Sequence, residues 1–397
     1  MPERTNNPFR VSGTVDGEFF TDRATELRRI RAALEQPAAK LLVYGHRRMG
    51  KSSAIERAVR QTVEAQGHAF VADLSTASTV VDMANRVMEA ATKALGRTWR
   101  EVATDLASRV GGTLKLTTSP ATGMLVPSFE VALRRADAED QRASLGRVLD
   151  AVDDMARVRG VTIGVALDEF QEIARFGGED AEWHLRGVIQ RHQHVSYVLA
   201  GSKPHLIRRM LEKGRAFYDM LEVLHFGPMD PDHLGRWIEE RMETARVDAG
   251  GVGPRVIELA EPRTRDVVQL ALKTYDVTAG AGVARPSDVD AAFREIVEDR
   301  DDLARTFWGE LTANQQNVLR AVSVQPAGLT TAEAIERFGL SSSSAVTQAL
   351  AAFVEEGVLV RDEQGARYAF DNPFLRGWVI VNALPDLGIM LPATYRP

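Results

Sequence analysis

Short apolar runs recur through the first half of the chain, at 41–44, 69–74, 161–167, 196–200 and 223–226. Between them lie longer stretches whose apolar residues return every three or four positions, as at 80–95 and 182–191. Continuous short apolar runs fit strands buried on both faces, and the 3.6-residue period fits helices laid over them. The alternation predicts an α/β domain with a mostly parallel sheet over residues 1–228. One stretch departs from it. Residues 98–160 read as a helix at 98–109, two runs of strand composition at 113–118 and 125–132 around a turn-rich 120–123, and a helix to 157. That is the pattern of an inserted hairpin flanked by helices.

After Pro228 the strand pattern stops, and 231–242, 254–261, 264–274 and 286–305 all carry a helical period. Asp230 and Ser287 stand where N-caps are expected. A helical domain over 229–305 follows. Helices at 312–323, 331–338 and 342–356 then precede strand-like runs at 358–361 and 367–370 that turn near Gly365. Three helices and a β-wing predict a winged helix within 306–397.

Composition adds mostly exclusions. With 397 residues, 44% apolar and 26% charged, the chain has the make-up of two or three ordinary globular domains and not of a disordered one. No cysteine is present, so disulfides, thiolate zinc sites and cysteine nucleophiles are all excluded. The first ten residues lack a basic-then-apolar pattern, and no run approaches about 18 apolar residues, so the expectation is a cytoplasmic protein without a membrane partner. The net charge of −6 offers no overall attraction for a polyanion.

The chemistry is concentrated in Gly45-His46-Arg47-Arg48-Met49-Gly50-Lys51-Ser52, which matches G-x-x-x-x-G-K-[ST] directly after a predicted strand and before a helix that begins near Ser53. Glycines let such a loop curl so that backbone N–H groups point at phosphates, with the helix N-terminus behind them. Lys51 is expected to reach the β- and γ-phosphates of ATP, and the Ser52 hydroxyl to ligate Mg²⁺. The run 161–167 ends in two acids, Asp168 and Glu169. Asp168 is assigned to the magnesium shell and Glu169 to the activation of water, which makes hydrolysis the leading activity. Ser202 ends the next strand and would lie beside those carboxylates if the two strands are neighbours. Sensing of the γ-phosphate is one reading of it, and capping of the next helix is the other. Arg208, Arg209 and Arg215 surround a helix that could present an arginine to a nucleotide, although most arginines face solvent. His192 and His194 have the spacing of a metal pair but no third ligand, and a surface or capping role is preferred.

With these strings in place, the chain resembles the archaeal-type ATPases, the MNS clade of the STAND NTPases related to AAA+ proteins. The resemblance covers nearly the whole chain, from Asn7-Pro8-Phe9 and the segment Phe20 to Leu27, through the phosphate loop, 167–172 and Gly201-Ser202-Lys203, to the closing string 370–378. It implies a sheet of strand order 5-1-4-3-2, a helical lid over the nucleotide, a winged helix docked on the lid, Ser202 as sensor 1, and an N-terminal segment near the adenine. Many members carry Gly-Gly-x-Pro where the third lid helix begins. This chain has Glu261-Pro262-Arg263-Thr264-Arg265, which looks more like the sensor 2 turn of origin-licensing AAA+ ATPases and implies a γ-phosphate contact from Arg265.

Three readings of the load stay open. In the first, ATP and ADP states move lid and winged helix to engage a protein partner; in the second, the winged helix binds duplex DNA; in the third, a nucleotide-locked scaffold scarcely turns over. From Leu311 to Ile380 there are five basic and seven acidic residues, so the module is net −2, and its recognition helix 342–356 has no lysine or arginine. Phosphate neutralisation supplies most non-specific DNA affinity, so the composition favours a protein partner. The sequence leaves the oligomeric state open.

Overall fold

The structure, a computed structural model, describes residues 7–95, 113–118, 125–130, 138–261, 263–362, 365–389 and 395, of which 113–118, 125–130 and 138–142 are described by backbone alone. It divides into two compact units, Gly13–Pro228 and Met229–Pro397, the latter joined by the start of the chain up to Ser12.

The first unit holds β1 (Lys40–Tyr44), β2 (His68–Asp73), β3 (Thr113–Thr118), β4 (Leu125–Glu130), β5 (Ile163–Asp168), β6 (Val195–Gly201) and β7 (Glu222–His225). Five of these form one sheet in the order β2-β5-β6-β1-β7, every pairing parallel. Apart from the separate antiparallel hairpin β3–β4, the order read from the far edge is 5-1-4-3-2. The register Tyr44↔Gly201 and Leu167↔Leu199 brings the carboxyl ends of β1, β5 and β6 to one edge. Whatever follows those three strands therefore meets at one place.

Burial explains the strand composition. Every residue of β5 and β6 is buried, whereas edge strand β7 turns only Leu224 inward. One sheet face is covered by Ile30 and Leu34 of the helix Ala24–Glu35 and by Ala54, Ile55 and Ala58 of the helix Lys51–Glu64. The other is covered by Met83 and Val87 of Val80–Leu95, Leu149 and Val152 of Ala138–Arg159, and Leu185 and Ile189 of Glu172–Arg191. Truncating one such leucine to alanine costs about 2–5 kcal/mol. The helix read from 182 begins at Glu172, because a kink at Gly178 (φ 63°, ψ −165°) interrupts its period. The expected helix at 98–109 and the turn at 120–123 lie outside the described residues.

In the second unit, five helices (Pro231–Thr244, Val252–Ala260, Thr264–Thr278, Pro286–Glu298 and Asp301–Glu310) precede the winged helix. Asp230 caps the first, accepting from the His233 N–H at 2.7 Å. Ser287 does not cap. The helix starts a residue earlier, at Pro286, and the Asp288 carboxylate accepts the Arg285 N–H at 2.8 Å. The single helix expected over 286–305 is two, broken at Asp299 and Arg300 before the acidic first turn of Asp301–Glu310.

The winged helix comprises Ala313–Val324, Ala332–Phe338 and Ser343–Glu355, capped by the hydroxyls of Thr312, Thr331 and Ser342, with the antiparallel wing β8 (Leu359–Arg361) and β9 (Tyr368–Phe370). It shares a core with the preceding helices, in which Phe293 packs on Phe374 with ring centroids 5.4 Å apart. Arg263 Nη1 donates to the Asp371 carbonyl at 2.6 Å and to its carboxylate at 2.7 Å, and Trp378 Nε1 donates to Asp301 at 2.7 Å. The start of the chain joins this unit: Asn7 Nδ2 donates to the Leu272 carbonyl at 3.0 Å, Arg241 Nε to the Pro8 carbonyl at 2.6 Å, and Phe9 packs edge-on to Trp237. Among the described residues no helix is long and apolar enough to cross a membrane.

Candidate functional site

The loop 45–50 follows β1 and folds back into the helix that starts at Lys51. Gly45 is required by a close approach: a Cβ there would lie 2.2 Å from the Phe226 carbonyl oxygen. Gly50 is required by its backbone, at φ 89°, and Arg48 shares the left-handed region at φ 68°. The curl encloses Lys51, which is 5% exposed, and its Nζ donates to the carbonyls of Gly45 at 2.9 Å and His46 at 2.6 Å. Burial pushes the Lys51 ammonium from 10.5 down to about 8, against the pull of the Glu169 and Asp168 carboxylates.

The P-loop hydroxyl meets the strand acid directly. Ser52 Oγ donates to Asp168 Oδ2 at 2.6 Å, and the Glu169 N–H donates to Asp168 Oδ1 at 2.9 Å. Burial raises the Asp168 carboxyl above its ordinary value and the neighbouring Glu169 charge adds to this, while the two hydrogen bonds oppose it. Glu169 occupies the left-handed region at φ 55°, unusual for a side-chain-bearing residue, as the chain turns out of β5. Its Oε2 accepts from Ser202 Oγ at 2.7 Å and from Gln171 Nε2. The neighbouring of β5 and β6 that Ser202 needed is thus present.

Lys51, Ser52, Asp168, Glu169 and Ser202 converge where the loop 45–50 meets the ends of β5 and β6. Several neighbouring side chains of the first unit turn elsewhere. The Ser53 hydroxyl accepts the Val15 N–H at 3.1 Å, and the Met49 side chain is packed in the core beneath the loop. Arg47 is exposed. Arg265 is an exposed residue in the first turn of Thr264–Thr278, in the second unit, while its neighbour Arg263 is committed to Asp371. Arg215 is bound to Glu179 at 2.7 Å and Glu182 at 3.1 Å. His192 bridges the Tyr197 hydroxyl at 2.6 Å and Asp150 at 2.9 Å, pinning the helix Ala138–Arg159 to β6. No group of three or more His, Cys, Asp or Glu side chains placed to hold a metal ion occurs among the described residues.

Two residues of the site escaped sequence reasoning. Gln171 has no residual exposure, and its Oε1 is buried without a hydrogen-bond partner. Arg23, 3% exposed and left-handed, donates through Nη2 to the Gly227 carbonyl at 2.6 Å and the Met49 carbonyl at 3.4 Å, and its guanidinium lies 4.2 Å from the Phe226 ring centre. Buried polar side chains at these positions have no periodic signal. The strings Asp168 to Gln171 and Phe20 to Leu27 were the only pointers.

On the winged helix, three of the five basic residues donate to internal acceptors, Arg361 Nε to the Gly365 carbonyl at 2.7 Å among them. Arg320 Nε donates to the Ala383 carbonyl at 2.8 Å and Nη2 to Asp386 at 3.0 Å; Arg376 Nη1 donates to Glu261 at 3.2 Å. Arg337, Arg361 and Arg367 are exposed.

The family model of an ATPase domain found predominantly in Archaea matches residues 20–234, and that of a probable winged helix domain matches 304–380. No curated protein matches the sequence. Among solved structures, the Walker-type ATPase paby2304 of Pyrococcus abyssi superposes with a TM-score of 0.61 at 15% identity, over 94% of this chain and all of that one. The ORC1 protein of Aeropyrum pernix in complex with DNA gives 0.46 at 18% identity (93% and 95% covered), and the ADP form of the ORC2 protein of the same organism gives 0.48 at 14% (91% and 92%).

Proposed function

The chain belongs to the family of ATPase domains found predominantly in Archaea and is an ATP-hydrolysing enzyme; from that premise we propose a Mg²⁺-dependent switch, in which nucleotide state sets the position of the lid helices and winged helix for a protein partner. The observation that carries the reading is the contact of the Ser52 hydroxyl with Asp168 Oδ2 at 2.6 Å, with Glu169 next in the chain. A hydroxyl and a carboxylate at contact distance beside a buried ammonium form a donor set that fits a hard cation and a triphosphate. Ser52 and Asp168 would hold the magnesium ion, which when bound offsets the charge of the phosphate oxygens.

The remaining chemistry belongs to the chain's own groups. Backbone N–H groups of 45–52 and the N-terminus of Lys51–Glu64 bind the phosphates. Lys51 exchanges its carbonyl partners for β- and γ-phosphate oxygens. Glu169 orients a water molecule and takes its proton as the oxygen attacks the γ-phosphorus. The bond from that phosphorus to the β-bridging oxygen breaks, leaving ADP and inorganic phosphate. Ser202 steadies Glu169, and Arg265 is proposed as a contact to the γ-phosphate.

The protein partner is favoured over duplex DNA because Arg320 and Arg376 are turned to internal contacts, which leaves a module of net −2 with few outward cations. The deciding experiment measures phosphate release with Mg-ATP, with and without duplex DNA, for wild type and Glu169→Gln. Loss of turnover with retained ATP binding in the variant is expected. Equal slow turnover under all conditions would support the locked scaffold and sink the switch. DNA affinity that persists at physiological salt, read by fluorescence anisotropy, would move the assignment to a DNA-associated ATPase.

A further inference from the structure

We infer that Gln171 is a positioning residue for hydrolysis: its side-chain amide fixes Glu169 Oε2 so that Oε1 alone is left to accept the proton of the attacking water. The inference rests on the assignment of Glu169 proposed above.

Three observations carry it. Glu169 Oε2 accepts both the Ser202 hydroxyl, at 2.7 Å, and Gln171 Nε2, whereas Oε1 accepts no hydrogen bond among the described residues. The carboxylate is thus saturated on one oxygen and open on the other, and two donors from different elements define its plane. Gln171 is also held at a cost to stability. Its Oε1 is buried with no partner, a state that native structures seldom tolerate and that an apolar side chain of similar size would avoid. The amide is therefore better explained by what Nε2 does than by packing. The surroundings are shaped to it as well. Gly201, at the end of β6, leaves the space: a Cβ there would sit 2.8 Å from Gln171 Oε1 and 2.6 Å from Ile207 Cδ1. Glu169 itself turns through a left-handed backbone at φ 55°, a conformation that persists where surrounding contacts hold it.

A carboxylate with both oxygens in water would present either one, in many orientations. Fixing one oxygen converts the base into a directed acceptor, and misplacement of a reacting group by about 1 Å costs about 10²-fold in rate. The amide contributes geometry, so its loss is expected in kcat with KM little changed.

The test is steady-state ATP hydrolysis by the full chain carrying Gln171→Leu or Gln171→Glu, alongside Glu169→Gln and thermal melting of each. Gln171→Leu is expected to lower kcat by about 10²-fold, to leave KM within about threefold and to melt no lower than wild type. Gln171→Glu keeps the shape but donates only when protonated, so its kcat is expected to fall as pH rises across a range where the wild type is flat. A merely structural glutamine would lower the melting temperature and move KM with kcat, without that pH dependence. If Gln171→Leu and Gln171→Glu both turn over within about twofold of wild type while Glu169→Gln is inactive, the inference falls and the ATPase site stands. Full turnover by Glu169→Gln would remove the underlying assignment and the inference with it.

Discussion

Replacing Lys51 by methionine should make the nucleotide-free protein more stable while destroying its affinity for ATP. The side chain is 5% exposed, and burial holds its ammonium at about 8 instead of 10.5. At about 1.4 kcal/mol per pH unit, that gap is a penalty of about 3 kcal/mol for the charged form. Below pH 8, folded and unfolded chains both carry the proton and the whole penalty stands. Between about 8 and 10.5 the folded chain has released it and the unfolded chain has not, so wild-type stability rises with pH through this window. Methionine keeps the length and removes the charge. It gives up the hydrogen bonds to the carbonyls of Gly45 and His46, so the net gain at pH 7 lies below the full 3 kcal/mol, at about 1–2 kcal/mol. Urea denaturation without nucleotide, from pH 7 to 10.5, measures this directly. The advantage of Lys51→Met should shrink steadily above pH 8. Parallel pH dependences for the two proteins, or a less stable variant at pH 7, would refute the reasoning. Because a triphosphate favours the ammonium form, ATP affinity of the wild type should also weaken above pH 8, by up to about tenfold per pH unit.

Two further contacts are open to direct test. Arg263→Ala removes both hydrogen bonds to Asp371 and leaves a carboxylate whose side chain is 16% exposed without its cation, so the second unit should lose about 3 kcal/mol in urea denaturation; a loss under about 1 kcal/mol would show that the pair does not hold the winged helix to the helices before it. Gly45→Ala would place a Cβ 2.2 Å from the Phe226 carbonyl oxygen, a backbone atom that cannot swing aside, and should cost about 3 kcal/mol or more; a variant that melts like wild type would mean that the loop and the segment after β7 separate easily.

How much of this could be read from the chain depends on whether backbone or burial specifies a position. Gly45, Gly50 and Lys51 were legible because the loop needs a close approach, a positive φ and an ammonium at fixed spacing. Asp168 and Glu169 were legible because two adjacent acids close the wholly apolar run 163–167. Ser202 required one conditional, that β5 and β6 are neighbours, and the sheet order supplies it. Gln171 and Arg23 were not legible as functional residues, since nothing local distinguishes a buried glutamine or arginine from an exposed one. The break at Asp299 and Arg300 was hidden because residues of good helical composition continue through it. Ser287 failed as a cap because Pro286, which lacks an N–H, takes the first helical position and Asp288 performs the capping bond.

Several unfavourable features of the first unit meet at the end of β1, β5 and β6. Lys51 is a buried ammonium, the Asp168 carboxyl is pushed up by burial, Glu169 has a left-handed backbone, and Gln171 Oε1 has no partner. Scattered through a core these would be defects; together they have a common remedy. A metal-bound triphosphate would draw the ammonium from its carbonyls, favour the ionised form of Asp168 and give Glu169 Oε1 a water to act on. Local rules of stability are broken where binding can compensate, and they are kept in the core of β5 and β6 a residue or two away. The stability gained on adding Mg-ATP should therefore be smaller in Lys51→Met than in wild type even at nucleotide concentrations that saturate the wild type. In Ser53→Ala, whose hydroxyl accepts the Val15 N–H, it should remain at the wild-type value. An equal gain in all three proteins would mean that the nucleotide stabilises the fold through contacts elsewhere, and the clustering of penalties at this edge would lose its explanation.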